Sequence, residues 1–294
     1  MVGRGRTPAT VVRFLKMAVA PFLVLLVFLA ASRFADVEGL SLAEGAKPDT
    51  SGRSEPAFSE IRFLMDTVVR IQVWGDKTAS GRAGTAAYRA MQEVAAFADR
   101  FNPDSEVSRI NQAAGKRAVP VSAGLFDLLD RTLQVSRMSE GALDPTIGPL
   151  VDLWGFSREN PRVPAPEDVA AARHLVRYQE LILDRTRRTA YLCRPGMVLD
   201  LGATAKGYAV DAAGKVLRGY LRAGAISAAL IDAGGDILVI GSRPGGGRWR
   251  IGVRNPRGSG AVGIINLAAG AAVTSGDYER FFVENGVRYS HLLD

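Results

Sequence analysis

Four stretches concentrate acids, hydroxyls and glycines within apolar surroundings, and these are where chemistry would sit. Ala142-Leu143-Asp144-Pro145-Thr146-Ile147-Gly148-Pro149 places a carboxylate and a hydroxyl on a rigid turn. Leu199-Asp200-Leu201-Gly202-Ala203-Thr204-Ala205-Lys206-Gly207-Tyr208-Ala209 runs from a strand into a helix. Ala233-Gly234-Gly235-Asp236 and Thr274-Ser275-Gly276-Asp277-Tyr278-Glu279-Arg280 complete the set. The second stretch suits a phosphate. Glycine lets the backbone come close, a helix N-terminus offers free N–H groups, and Lys206 in the first turn adds positive charge. Its spacing is neither that of a Walker loop nor that of the dinucleotide fingerprint. Taken singly, each stretch also reads as a glycine turn with a locally capping Asp.

The elements that must position these residues can be read from periodicity. Ile61 to Trp74 alternates as a strand or hairpin, and Gly81 to Phe101 carries Ala, Met, Val and Phe at helical spacing. Asn102-Pro103-Asp104-Ser105 breaks that helix, Asp104 or Ser105 can cap the next, and Gly115 closes it. Leu125 to Met138 is amphipathic, with Ser122 before it as a cap. A loop rich in Pro and charge, Ser157 to Glu167, leads to a helix ending near His174 and then to paired strands at Leu181 to Asp184 and Thr189 to Leu192. Ala205 to Leu221 is helical, and Ala228 to Ile240 is a strand interrupted at Gly234-Gly235. Trp249 to Val253, Val262 to Leu267, Ala271 to Thr274 and Arg280 to Val283 read as a meander, with Arg288 to Leu293 as a last strand. Helices and antiparallel strands in blocks predict an α+β fold of mixed helices and largely antiparallel sheets. No repeat of twenty to fifty residues is visible.

The chain has 294 residues, 47% of them hydrophobic, enough for one substantial core or two small ones. Four of the basic residues, Arg4, Arg6, Arg13 and Lys16, precede the first apolar run, so the net charge of +7 falls to about +3 beyond it. With no clustered basic face, nucleic acid is not an expected partner. The single cysteine, Cys193, excludes an internal disulfide and a cysteine-based zinc site. Met17 to Ala31 carries no charge, follows the basic stretch and precedes Ser32, the pattern of a secretory signal. A cleaved signal and an uncleaved anchor drawing on Val11, Val12, Phe14 and Leu15 both fit, and either implies export. The expected organisation is a signal peptide or membrane anchor over 1–35, a flexible linker over 36–58 and a globular domain over 59–294.

The order of these motifs resembles that of the ApbE family of FAD:protein FMN transferases. The likeness starts at Phe63-Leu64-Met65-Asp66-Thr67 and passes through Ser105-Glu106-Val107-Ser108-Arg109-Ile110-Asn111. It continues through the Asp144 and Asp200 runs, Gly-Gly-Asp and Ser275-Gly276-Asp277-Tyr278-Glu279-Arg280-Phe281-Phe282, and reaches Tyr289-Ser290-His291-Leu292-Leu293-Asp294. It implies an ApbE-like, T-fold-like architecture. It further implies Mg²⁺-dependent transfer of the FMN half of FAD to a Thr or Ser hydroxyl through a phosphoester, with release of AMP. The acceptor would be a subunit of a membrane redox complex or an exported flavoprotein, reached from the periplasmic side of a bacterial inner membrane or within the periplasm.

Residue by residue, the resemblance sets Met65 and Phe101 along the flavin and Ala142, Leu143 and Asp144 at the nucleotide. Family members usually have Tyr or Trp where Phe101 stands. Asp200 and Lys206 would grip FAD, Leu293 would join the site, and the carbonyl of Ala203 would be one ligand of Mg²⁺, a hard ion that takes oxygen ligands. Transfer needs an acceptor for the hydroxyl proton. Of the two histidines, His174 stands in an Arg-rich surface helix and His291 in a matching motif, so His291 is the candidate base and Asp277 the alternative carboxylate. The family continues past this point with an Asp and a Thr that complete its metal site, so the chain is expected to be C-terminally incomplete. Hydrolysis of FAD to FMN and AMP, or flavin binding without catalysis, are the alternative activities.

Overall fold

The computed structural model describes residues 55–156, 161–276 and 281–293. The expected signal or anchor, most of the expected linker, Asp277 and Arg280 lie outside the described residues. Among the described residues no helix is long and apolar enough to cross a membrane.

β1 (Phe58–Leu64) and β2 (Thr67–Gly75) form an antiparallel hairpin, so the ordered fold takes up Phe58 from the segment read as linker. α1 (Lys77–Ala98) follows, its first turn capped by Asp76, whose Oδ1 accepts the Ala79 N–H at 2.8 Å. α6 (Ala205–Arg222) leads into β6 (Ile226–Ala233) and β7 (Asp236–Gly241), and β10 (Gly270–Ala272) adds an edge. The result is a five-stranded antiparallel sheet in the order β1-β2-β6-β7-β10. α1 and α6 cover one face, where Val69, Ile71 and Val73 meet Tyr88, Met91, Ala209, Ala213, Leu217 and Ile231. Removing a fully buried side chain there, as in Met91→Ala, costs about 2–5 kcal/mol.

A second core lies between the helices and a small sheet. α2 (Glu106–Gln112) and α3 (Ala123–Met138), capped by Ser105 and Ser122, pack on the sheet β3-β5-β4, made of β3 (Val119–Pro120), β4 (Leu181–Asp184) and β5 (Thr189–Leu192). Leu125, Leu128, Leu129, Leu192, Leu199 and Leu201 fill it. α4 (Gly148–Trp154) and α5 (Pro166–Arg173) follow α3.

Two expectations are corrected. The strand read as interrupted at Gly234-Gly235 is a hairpin. Both glycines take positive φ (60° and 91°), which a two-residue turn joining right-twisted strands requires. The late strands do not form one meander either. β8 (Trp249–Arg254) and β9 (Ala261–Leu267) pair with each other and bury Trp249 and Ile251 against Ala228 and Val239, on the sheet face opposite the helices. The strict alternation of β8 supplies one apolar side, which a second layer uses better than an extension of the sheet does. β11 (Phe281–Glu284) and β12 (Val287–Ser290) form a separate ribbon. α4 and the two-residue β3 were not legible, since both are short and α4 opens with the Gly-Pro read as a turn.

Candidate functional site

Two tight turns meet at one end of the main sheet. Leu64 pairs with Thr67, so Met65 and Asp66 alone make the β1–β2 turn, both in the left-handed region (φ 54° and 55°) without a glycine. Such a conformation is strained for Met and is held by its surroundings. The Met65 side chain supplies that hold by packing against both main cores. The Gly234-Gly235 turn lies alongside: the Gly234 N–H donates to Val68 O at 3.1 Å, and a Cβ on Gly234 would stand 2.1 Å from Thr67 Oγ1. At this end Lys206 Nζ lies 3.2 Å from Oδ2 of Asp236, a residue that is 5% exposed. That ion pair ties the first turn of α6 to the β6–β7 turn.

The loop entering α6 is braced from three sides. Asn111, on α2, accepts the Leu199 N–H through Oδ1 at 2.7 Å and donates through Nδ2 to Leu199 O at 3.1 Å. The Asp200 N–H donates to Pro145 O at 2.8 Å and the Gly148 N–H to Val198 O at 3.2 Å, so the Asp144 and Asp200 runs lie side by side. Asp200 Oδ1 accepts the Gly202 N–H at 2.8 Å, and its Oδ2 lies 2.8 Å from Arg100 Nε. Arg100 also forks onto Asp152 of α4, with Nη2–Oδ1 at 2.7 Å and Nη1–Oδ2 at 3.2 Å. Burial works against the Arg100 charge, yet the hydrogen bond and charge of Asp152 and the charge of Asp200 outweigh it and raise its pKa above the ordinary arginine value. Thr204, the residue before α6, shares a hydrogen bond with Thr132 at 3.0 Å and does not cap the helix. Among the described residues no side chain caps the first turn of α6, an arrangement that favours an anion beside Lys206.

The structure thus brings Met65, Lys206, Asp200 and the exposed Ala203 to one end of the sheet, with Asp144 next to Asp200. Both oxygens of Asp144 already accept from the chain: Oδ1 from the Thr146 N–H (2.7 Å) and Thr146 Oγ1 (2.6 Å), and Oδ2 from the Tyr178 N–H (2.8 Å). Ala142 is exposed, and the Leu143 N–H is held by Ser139 Oγ at 3.1 Å. Phe101 is 59% exposed, one face of its ring 4.5 Å from the Arg100 guanidinium carbon. His291 and Leu293 are partly buried just beyond β12, whose Tyr289 stacks on Phe282 and sits 5.6 Å from Trp154 of α4. The Glu284 carboxylate accepts the Val163 N–H at 3.1 Å, so the ribbon that precedes His291 is fastened to the segment just before α5. His174 is exposed at the end of α5.

Sequence reasoning gave no role to Arg100, Asn111, Asp152 or Asp236. Asn111 and Asp236 did stand inside quoted motifs. Arg100 and Asp152 are 52 positions apart and carried no signal. Among the described residues no three His, Cys, Asp or Glu side chains converge as a metal cage requires.

A sequence profile of the ApbE family matches residues 65–294. The chain is similar to a FAD:protein FMN transferase of Klebsiella pneumoniae, 39% identical over 193 residues, covering 65% of this chain and 58% of the relative. It is similar to the enzyme of the same name from Treponema pallidum, 31% identical over 254 residues, covering 81% of this chain and 69% of the relative. The chain therefore spans between about half and two thirds of the length of such relatives. Among solved structures, the ApbE protein of Thermotoga maritima superposes with a TM-score of 0.75 at 34% identity, covering 81% of this chain and 76% of the other. The flavin transferase ApbE of Vibrio cholerae gives 0.68 at 31% identity, with 81% and 75% covered.

Proposed function

We propose, since this chain belongs to the ApbE family, that it transfers the FMN moiety of FAD to a Thr or Ser hydroxyl of an acceptor protein and releases AMP. The observation that carries this reading is the Lys206–Asp236 pair, which fixes an ammonium at the uncapped start of α6 beside the Met65-Asp66 turn. Relatives named FAD:protein FMN transferase support it.

In the proposed reaction the acceptor oxygen attacks the FMN phosphorus. An O–P bond forms, the bond from that phosphorus to the bridging oxygen breaks, and AMP leaves with the electron pair. The hydroxyl proton passes to His291, with Asp277 the alternative acceptor. Lys206 and the α6 N–H groups lower the cost of the charge that accumulates on the phosphoryl oxygens. Phe101 offers an open aromatic face for the flavin ring. Mg²⁺ dependence belongs to the proposal. Ala203 stands exposed on the loop, where its carbonyl would be one oxygen ligand, and among the described residues no three His, Cys, Asp or Glu side chains converge to complete a cage. Export by the N-terminal apolar run, and hence action outside the cytoplasm, is likewise proposed.

The test is to incubate the chain with FAD, Mg²⁺ and an acceptor domain bearing a Thr site, and to look for in-gel flavin fluorescence. A fluorescent acceptor band, absent when the acceptor Thr is replaced by Ala, is expected. FMN and AMP without a labelled band would mean hydrolysis, and FAD retained unchanged would mean a flavin carrier.

A further inference from the structure

We propose that Arg100 is a positioning residue of the nucleotide site, fixing Asp200 and Phe101 without touching the nucleotide. The proposal rests on the flavin reading above, which places both of those residues at FAD.

The Arg100 side chain is 7% exposed and reaches three partners at once. Its fork is locked on Asp152, its Nε edge faces Asp200 and its plane backs Phe101. The Asp200 contact is an ion pair off the N–H axis, so charge more than hydrogen-bond alignment holds that oxygen. The backbone is pinned too: Arg100 O accepts the Ser108 hydroxyl at 2.9 Å, and Ser108 N–H is held by the α2 cap Ser105 at 3.0 Å. The Arg100 backbone is therefore tied to the start of α2, while Asp152 and Asp200 hold its guanidinium.

The consequence for the site follows from what Asp200 does with its other oxygen. Oδ1 holds the Gly202 N–H, and Gly202 lies three residues before the start of α6. A Cβ on Gly202 would stand 3.0 Å from that same oxygen, so loop and carboxylate fit closely. Arg100 thus sets the carboxylate, the carboxylate sets the loop, and the loop presents Ala203 and the first turn with Lys206. On the other side Arg100 supports the inner face of the Phe101 ring and leaves the outer face open. Lysine cannot replace it, because an ammonium is a point charge without a planar fork.

The experiment uses the full chain with Arg100→Met, Arg100→Lys, and Arg100→Met in an Asp200→Asn, Phe101→Ala background. FAD affinity is read by flavin fluorescence, stability by thermal midpoint and loop order by amide hydrogen exchange at Gly202. Each single variant is expected to raise the FAD Kd about tenfold, the scale of one charge-assisted contact. Gly202 exchange should accelerate by about tenfold or more, and Arg100→Met should change the Kd less than twofold in the doubly changed background. Arg100→Lys keeps a cation between Asp152 and Asp200 and carries the test if the Met variant does not fold. A Kd within twofold of wild type in Arg100→Lys, with only the midpoint lowered, would reduce Arg100 to a structural ion pair. A full tenfold loss persisting in the doubly changed background would show that Arg100 acts by another route, and unchanged Gly202 exchange would break the Asp200 link. Wild-type chain that does not bind FAD would overturn the flavin reading itself, and the exchange measurement would then decide alone whether Arg100 holds the loop.

Discussion

Lys206 Nζ sits 3.2 Å from Oδ2 of Asp236, with the Asp236 side chain 7% exposed and that of Lys206 30% exposed. The buried carboxylate aims a more accessible ammonium at the open start of α6. Asp236 can do this because the Gly234-Gly235 turn returns the chain beside its own strand and next to the helix.

Removing the ammonium has two effects. On the proposed function Lys206→Ala removes one charge contact to phosphate, worth on the order of 1.5–3 kcal/mol, or roughly ten- to a hundredfold in FAD affinity. The buried Asp236 carboxylate also loses the Lys206 ammonium, which should lower the thermal midpoint. Calorimetric titration together with melting of Lys206→Ala and of Lys206→Ala, Asp236→Asn checks both. The double variant should recover stability and not affinity. FAD binding within twofold of wild type in Lys206→Ala would show a solvated helix residue.

On the proposed function the substrate is a whole dinucleotide, so FAD should bind in preference to FMN or NAD. Equal affinity for FMN and FAD would remove the adenylate half from the reading.

His291→Ala should separate binding from chemistry. A general base acts in the transition state, so FAD affinity and thermal midpoint should stay near wild type while single-turnover flavin transfer slows about 10²- to 10⁴-fold. Normal transfer in this variant would leave Asp277 as the better base. Midpoint and FAD affinity falling together would make His291 a structural residue at the end of the ribbon.

The Gly234 position has no room. Gly234→Ala must place its Cβ 2.1 Å from Thr67 Oγ1 at a φ of 60°, so the turn or β2 must shift. A loss of at least about 1–3 kcal/mol is expected from denaturant unfolding. A variant within 0.5 kcal/mol of wild type, roughly the size of a neutral surface change, would contradict the packing of the two turns.

Tyr88 predicts an alkaline limit. Its fully buried phenol lies 2.8 Å from Glu60 O and 3.0 Å from Val69 O, and burial chiefly pushes its pKa from 10.0 up to about 12. Below pH 10 both folded and unfolded phenols are neutral. Between 10 and 12 the unfolded phenol loses its proton first, so stability falls as pH rises through that window. The Tyr88 share of the fall is about 2 kcal/mol by pH 12. Urea unfolding at a series of pH values should show a shallower slope for Tyr88→Phe than for wild type. Equal slopes would sink the assignment. Tyr208, raised to about 12 by burial and by Asp127, should leave a residual slope in the variant.

What the sequence determined by itself is local. Ser105 and Ser122 cap the helices they precede, because a hydroxyl before a helical run satisfies an N–H within three residues. The strands at 181–184 and 189–192 fall at the predicted residues, because alternation and the turn between them are contained in a dozen positions. The order of the motifs was legible for the same reason, and it carried the family. What the tertiary structure decided is every relation between distant residues. The partners of Arg100 lie 52 and 100 positions away, Asn111 meets Leu199 across 88, and Lys206 finds Asp236 across a helix and a strand. Whether β8 and β9 extend the sheet or stack on it depends on where apolar area remains uncovered, a property of the assembled layers that no window of sequence contains.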